Sequence, residues 1–200
     1  MQPWQPLLDF WFGDDSADAP RAARQAPLWW GKSSETDALL THRFGELAEG
    51  AAEGELAHWA EVPVGRLALI LLLDQLPRNI HRDTPAAFAQ DAKARDLCLR
   101  GLSLGADKAL SPLARVFFYL PLEHAESREQ QARSVALFEA LAAEQADGPA
   151  RETFEGFADF ARRHQVIVQR FGRFPHRNAI LGRTSTPEEA EFLRQPGSGF

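Results

Sequence analysis

Residues Pro63–Leu76, with the sequence PVGRLALILLLDQL, form the most apolar segment of this 200-residue chain. Within it, the run Leu67–Leu73 is apolar at every position, which is typical of a helix that other helices enclose on all sides. The run ends at Asp74 and is far shorter than the ~20 residues that a membrane-spanning helix needs. We therefore expect a buried central helix over residues 63–76 and no membrane span.

Outside this segment the apolar residues recur at helical spacing, and the alternation that is typical of strands is missing. Three helix starts are marked by a capping Ser or Thr before a proline, in Thr84-Pro85, Ser111-Pro112 and Thr186-Pro187. The sequence therefore predicts an all-α fold with short linkers. The predicted helices lie near residues 4–12, 20–30, 35–50, 63–76, 85–101, 112–120, 127–146, 150–172 and 187–194.

The composition suits one folded domain, because 44% of the residues are hydrophobic and 25% are charged. Cys98 is the single cysteine, so no internal disulfide can form. The start Met1–Trp4 lacks the basic and apolar regions of a secretory signal. We expect residues 1–200 to form a single compact domain in the cytoplasm.

The net charge of −6 disfavours nonspecific binding to nucleic acid or to an anionic membrane surface. One segment departs from this acidic average, because residues 160–187 contain no Asp or Glu. The cationic or titratable side chains of that segment are Arg162, Arg163, His164, Arg170, Arg173, His176, Arg177 and Arg183. An acidic protein thus carries one concentrated basic segment.

Two similar stretches stand almost a hundred residues apart, Leu76–Arg82 (LPRNIHR) and Phe174–Ile180 (FPHRNAI). Since proline disfavours helix in the residue before it, each stretch is expected to end a helix. Short linkers make successive helices antiparallel, so the fourth, sixth and eighth predicted helices should end at the same pole of the molecule. The polar loops around Arg78, His124 and Arg177 would then converge.

The arginines at this pole have few acidic neighbours in sequence, essentially Asp74, Asp83 and Glu123, and an external anion could balance them. Guanidinium groups bind carboxylate or phosphate bidentately. The alternative is that several arginines reach solvent or the carbonyls at helix ends. The predicted ligand-binding residues are Asp74, Arg78, Asn79, Arg173, His176, Arg177 and Asn178.

Asp74 and Arg78 stand four residues apart and can form an ion pair on a helix, because a carboxylate that leaves an apolar core needs a partner. Whether this pair is structural or belongs to a site stays open from sequence. Glu123 and His124 are candidate catalytic residues, as a carboxyl group and an imidazole can share proton transfer. Capping or ion pairing is the alternative role for both.

Metal binding is not predicted, since the histidines lack the paired spacing of zinc motifs and crowded arginines repel a divalent cation. No cofactor is predicted either, because no glycine-rich phosphate loop is present. His164 lies on the apolar stripe of the eighth predicted helix, so we expect it to face inward.

The stretches Leu71–Ile80, Phe117–His124 and Arg170–Asn178 closely resemble the hallmark blocks of the bacterial domain-of-unknown-function family nine-two-four. Ala125 stands where that family usually has serine. The resemblance implies an all-α, tetratricopeptide-like fold, an α-α superhelix built as an antiparallel array of helical hairpins. It implies no established activity.

Three functional hypotheses follow. The first is a protein that binds an anionic ligand, either a peptide or partner carboxylate or a small phosphorylated or carboxylic molecule. The second is a hydrolase or transferase for an anionic substrate that uses Glu123 and His124 for acid–base chemistry. The third is a purely structural polar clamp without a ligand. No nucleic-acid or membrane partner is expected, and the sequence leaves the oligomeric state open.

Overall fold

A computed structural model describes residues 2–13 and 17–199; the predicted domain also includes residues 1, 14–16 and 200, which lie outside this range. The described residues contain helices and no strand, so the predicted all-α fold is confirmed. The α-helices are α1 (Gln5–Phe12), α2 (Asp18–Trp30), α3 (Ser34–Glu53), α4 (Pro63–Ile70), α5 (Leu76–Ile80), α6 (Asp91–Ser103), α7 (Pro112–Glu123), α8 (Arg128–Ala143), α9 (Pro149–Phe171) and α10 (Pro187–Phe192).

Shorter helical turns connect these helices. Four are 3₁₀ turns, Ala57–Glu61, Pro85–Phe88, Ala106–Ala109 and Pro175–Arg177. The fifth, Leu71–Gln75, is a π turn that joins α4 to α5 without a break in the helical backbone. Among the described residues, no helix combines the length and the apolar character needed to cross a membrane.

Side-chain caps set several helix starts. The hydroxyl of Ser111 accepts a hydrogen bond from the backbone N–H of Ala114 at the start of α7. At the start of α10, Thr186 and Glu189 form a complete capping box, in which each side chain accepts from the other residue's backbone N–H. Both predicted starts are confirmed. Thr84 instead begins the 3₁₀ turn Pro85–Phe88, and the regular helix starts only at Asp91.

The core surrounds the segment from α4 to α5, as the apolar run predicts. Ile70, Leu71 and Leu72 are fully buried there. This segment contacts α3, α6 and α7, so helices enclose it on several sides. At about 25 cal/mol per Å² of apolar surface, burial of this run is a main favourable contribution to folding.

Two prolines do not end their helices as predicted. The central helix continues past Pro77 to Ile80, because the π turn before it changes the hydrogen-bond pattern: the N–H of Leu76 bonds to the carbonyl of Leu71, five residues back. Helix α7 continues through Pro121 to Glu123. A proline removes one donor and crowds the preceding turn, but surrounding contacts can outweigh that cost.

Helices α8 and α9 form an antiparallel hairpin, since a short linker joins them and they contact each other over most of their length. Helix α7 contacts α8, and α2 contacts α9. This arrangement agrees with an array of helical hairpins, while the tetratricopeptide-like detail stays a prediction.

Candidate functional site

The carboxylate of Asp74 lies at the centre of a buried polar cluster and is fully shielded from solvent. Its Oδ1 is 2.8 Å from Nδ1 of His124, and its Oδ2 accepts a hydrogen bond of 2.5 Å from the side-chain amide of Gln75. Nη1 of Arg78 lies 3.5 Å from Oδ1 and also donates to the backbone carbonyl of Asp74. Burial raises the pKa of Asp74, but the charge of Arg78 and the contact with His124 outweigh it and hold this pKa well below its usual range.

His124 directly follows α7, and its side chain is only 13% exposed. Because an ionised carboxylate can only accept, Nδ1 of His124 carries the proton and Nε2 is the unprotonated nitrogen. Burial and the charge of Arg78 lower the pKa of His124, against the opposing influence of Asp74. The imidazole is therefore neutral at neutral pH, and no described residue is hydrogen-bonded to its Nε2.

A second carboxylate, that of Asp91, lies between two arginines. It accepts two hydrogen bonds from Arg78, at 3.0 and 3.1 Å, and one from Nη1 of Arg177 at 3.3 Å. Asp91 is the first residue of α6, where a negative charge is favoured by the helix dipole. Arg78 and Arg177, one from each of the two similar stretches, thus bind the same carboxylate, and Asp91 lies between them in sequence.

Arg177 is 6% exposed and lies in the 3₁₀ turn after α9. Its Cζ atom is 4.6 Å from the centre of the Phe88 ring and 4.6 Å from that of Phe174. The Nε atom is buried and has no hydrogen-bond partner among the described residues. Burial and the neighbouring charge of Arg78 lower the pKa of Arg177 to about 10, so the side chain stays charged at neutral pH.

A cleft of about 360 Å³ opens beside this cluster. We call it the His124 cleft. Its lining residues are Pro85, Phe88, Ala89, Asp91, Ala92, Arg95, Pro121, His124, Ala125, Glu126, Arg177 and Leu181. It therefore presents an imidazole, two carboxylates and two guanidinium groups within an otherwise apolar wall.

Glu123 does not line this cleft, although it precedes His124. Its Oε1 lies 3.1 Å from Nδ1 of His164, and Nδ1 of His164 also contacts the backbone carbonyl of Phe160. Burial, together with the charge of Asp74, raises the pKa of Glu123 to about 8. Burial and His124 lower the pKa of His164 to about 3, so both members of this pair are neutral at neutral pH. The predicted inward orientation of His164 is confirmed.

Asn79 belongs to a different network. Its amide donates to Asp37 at 2.9 Å, and Arg82 binds the same carboxylate with two hydrogen bonds of 2.7 and 2.8 Å. This group joins the end of α5 to the start of α3.

Arg173 and Asn178 also belong to a separate network, around the carboxylate of Glu189 in α10. Arg173 donates to this carboxylate at 2.7 and 2.8 Å, and the amide of Asn178 at 3.3 Å. His176 lies near the Phe174 ring, with 5.6 Å between ring centres, and burial with the charge of Arg177 lowers its pKa to about 4. The structure thus brings together Asp74, Arg78, His124 and Arg177, and places Asn79, Arg173 and Asn178 elsewhere.

The expected shortage of acids around the arginines is wrong. Asp37, Asp91, Glu126 and Glu189 supply the missing carboxylates, the last two by binding Arg183 and Arg173. Each of these acids lies at a distance in sequence from the arginine that it binds, from 13 residues for Arg78–Asp91 to 86 residues for Arg177–Asp91. Charge near the cleft is therefore balanced, with the pair Arg78 and Arg177 facing Asp74 and Asp91.

Phe88, Asp91 and Glu126 are among the cleft residues that were not predicted from sequence. A signal for the two acids existed, because an acid-free segment with six arginines must find carboxylates elsewhere in the chain. Glu126 illustrates this, since it accepts from the backbone N–H of Phe174 at 2.8 Å and from two nitrogens of Arg183. Among the described residues, no group of three or more His, Cys, Asp and Glu side chains is placed to hold a metal ion.

Comparison with known proteins supports the sequence resemblance. The family described as "Bacterial protein of unknown function (DUF924)" matches residues 7–197. The chain belongs to this family. Its fold is similar to the solved structure of a protein of unknown function from Agrobacterium tumefaciens, with a TM-score of 0.73, 38% identity and coverage of 88% of this chain and 98% of that one. No match was found among curated proteins.

Proposed function

We propose that the His124 cleft binds a small molecule or peptide terminus that carries a carboxylate or phosphate, and that Arg177 makes the main contact. The supporting observation is the state of Arg177: a buried, charged side chain in the cleft wall with one hydrogen bond of 3.3 Å and a buried Nε without a partner. A buried donor without a partner costs about 1–3 kcal/mol, and a bound anion would recover part of it.

The stacking of Arg177 favours the same role. Contacts with Phe88 and Phe174 cover the flat of the guanidinium and leave its edge, where the N–H donors lie, for hydrogen bonds. An anion oxygen pair matches this edge in a bidentate arrangement. The cluster has no net positive charge. The ligand would therefore be attracted by N–H donors of Arg177 that lack an acceptor, and not by a surplus of positive charge. A ligand with a single negative charge fits best.

Isothermal titration with acetate, succinate, inorganic phosphate and a short peptide with a free C-terminus tests this proposal. Arg177→Gln should raise the Kd of the bound anion about tenfold or more, since a charge-assisted hydrogen bond contributes about 1.5–3 kcal/mol. Arg162→Gln, on the exposed face of α9, is the matched control and should bind as the wild type does. An unchanged Kd in Arg177→Gln would refute the assignment.

A second candidate function is general-base catalysis, and the contact between Asp74 and His124 favours it. A buried carboxylate that orients a neutral imidazole, with Nε2 free beside a cleft, is the arrangement of a base and its orienting group. Asp74 rather than Glu123 is then the partner of His124, since Glu123 faces His164. Arg177 would stabilise negative charge that develops on the substrate.

Hydrolysis of p-nitrophenyl acetate and p-nitrophenyl phosphate tests the catalytic candidate. His124→Gln should abolish turnover and leave anion binding at Arg177 within about twofold of the wild type, because Gln retains a similar volume. If the wild-type protein hydrolyses neither compound, or if the variant is equally active, this candidate loses its support.

A cytoplasmic location also stays a prediction. It is supported by the single cysteine, which is a buried free thiol and cannot form an internal disulfide.

A further inference from the structure

A second cleft, of about 530 Å³, lies on a different part of the surface and shares no lining residue with the His124 cleft. Helices α3, α4 and α6, the π turn and the 3₁₀ turn Ala57–Glu61 form its walls. We call it the Arg66 cleft. Its lining residues are Ala51, Gly54, Ala57, Ala60, Glu61, Arg66, Leu69, Leu73, Lys93, Leu97, Arg100 and Leu104.

Arg66 is the unusual residue of this cleft, because it is a 7% exposed cation without a carboxylate partner. Nη1 donates to the carbonyl of Leu97 at 3.1 Å, and Nη2 donates to the carbonyl of Ala60 at 2.7 Å. No Asp or Glu among the described residues lies within ion-pair distance of it. Buried charges are normally paired with an opposite charge, whereas the hydrogen bonds of this guanidinium go to backbone carbonyls and leave its charge without a carboxylate.

The surrounding charge is positive. Lys93 and Arg100 line the same cleft, and Glu61 is the only acid in the lining. Burial, followed by the charge of Arg100, lowers the pKa of Arg66, which reflects the repulsion between the two guanidinium groups. The wall that accompanies these cations is apolar and includes the buried side chains of Leu69 and Leu73. Leu104 adds to this wall and is 73% exposed, a large fraction for a leucine.

We propose that the Arg66 cleft binds a free alkyl carboxylate, with the carboxylate at Arg66 and Arg100 and the hydrocarbon chain along Leu69, Leu73, Leu97 and Leu104. The cleft volume lies within the ~300–1,000 Å³ typical of small-molecule sites. Guanidinium groups beside leucine side chains in one cleft complement a ligand that is anionic at one end and apolar along its length. The proposal is independent of the function assigned to the His124 cleft.

Isothermal titration of the full chain with decanoate, below the concentration at which it forms micelles, tests the proposal. Decanoate should bind, and shorter acids should bind about fourfold more weakly for each methylene removed. Decanol, which has the chain without the charge, should bind at least tenfold more weakly than decanoate. Equal binding of decanol, or no binding of decanoate, would overturn the proposal.

Three variants locate the site. Arg66→Gln should raise the Kd of decanoate about tenfold or more, and Arg100→Gln about threefold, as exposed charges contribute less. Leu104→Asp acts on an exposed residue, so it leaves the fold intact and should also weaken binding. Arg133→Gln, an exposed change on α8 outside both clefts, is the control. Binding that is unchanged in Arg100→Gln and in Leu104→Asp would refute the site even if Arg66→Gln failed to fold.

An acidic peptide or protein segment is the competing occupant. Competition between decanoate and poly-glutamate separates the two: decanoate bound in the cleft should be displaced by dodecanoate and not by poly-glutamate. Displacement by poly-glutamate at equal charge concentration would overturn the alkyl carboxylate assignment. Binding at the His124 cleft is excluded as the source if Arg177→Gln leaves the Kd of decanoate unchanged.

Discussion

Nδ1 of His124 lies 2.8 Å from the carboxylate of Asp74, although the two residues are 50 positions apart in the chain. Asp74 lies in the π turn that precedes α5, and His124 directly follows α7, which continues past Pro121. Asp74 has no exposure to solvent, so it is the buried support of the pair. His124 lines the cleft, so it is the accessible group. This relationship gives the first test of the cluster.

Asp74→Asn should lower the free energy of unfolding by about 3 kcal/mol, at the lower end of the cost of breaking a buried ion pair. The variant retains an acceptor for His124 but leaves Arg78 with Asp91 as its remaining carboxylate. Urea unfolding followed by tryptophan fluorescence measures the loss. Asp96→Asn, an exposed change, should stay within ~0.5 kcal/mol of the wild type. Equal stability of the two variants would contradict a structural contribution from Asp74.

Glu123 should make the protein less stable as the pH rises from 6.5 to 8. Its pKa is about 8 in the folded state and 4.5 as an ordinary value, so the unfolded chain releases this proton first and stability falls between those values. The lowered pKa values of His164 and His176 reduce stability only at acid pH, below their ordinary value of 6.5.

In Glu123→Gln this loss of stability, which can reach about 1.4 kcal/mol per pH unit, should disappear. Thermal unfolding at pH 6.5, 7.25 and 8 provides the measurement. Glu129→Gln, at an exposed position of α8, should follow the wild-type curve. A wild-type Tm that does not change over this range would show that Glu123 ionises normally in the folded protein.

Asn79 offers a test of the structural hypothesis, because its hydrogen bond to Asp37 clamps α5 to α3. Asn79→Ala should lower the free energy of unfolding by about 1.5–3 kcal/mol, the usual value for a hydrogen bond to a charged group. Anion binding at Arg177 should be unchanged in the same variant. Calorimetric unfolding and titration of one protein sample measure both quantities, and a weaker affinity without a stability change would instead place Asn79 in the ligand site.

Phe88 is the fourth position to test, since its ring stacks on Arg177 and lines the His124 cleft. Phe88→Leu keeps the apolar wall and removes the aromatic ring, so the anion affinity should fall about threefold, in line with ~0.5–1 kcal/mol for a cation–π contact. Titration with the anion that the wild-type protein binds gives the value. Ala89→Ser, next to it in the cleft wall, is the control, and an identical loss there would mean that the ring has no specific effect.

Most of the fold could be predicted from the sequence, because helical periodicity and capping residues act locally. The apolar run at Leu67–Leu73 identified the central helix, and the Thr186–Glu189 capping box identified the last one. Errors occurred at Thr84, which starts a 3₁₀ turn and not a regular helix, and at Pro77 and Pro121, where local rules predict an end. A π turn before Pro77 and the packing around α7 permit a continuous helix, and neither leaves a short-range signal.

The site was less predictable for the same physical reason. The convergence of the blocks at Arg78, His124 and Arg177 followed from the order and direction of the helices. The carboxylate partners of the arginines could not be predicted in this way, since Asp91 and Arg177 are 86 residues apart. Which of two nearby acids an arginine binds depends on distances of a few ångströms. Only the overall imbalance of the arginine-rich segment indicated that such partners must exist.

The π turn at Leu71–Gln75 sets the angular phase of every side chain that follows it on the central helix. Each residue advances an α-helix by about 100°, so a hydrogen-bond slip of one residue turns the following side chains by roughly that angle. With this phase, Arg78 reaches the carboxylate of Asp91 and Asn79 reaches that of Asp37. A π turn accommodates one residue more than an α-turn, so conversion of Leu71–Gln75 to regular α-helix without loss of a residue would preserve the apolar run and still turn both side chains away from their carboxylates.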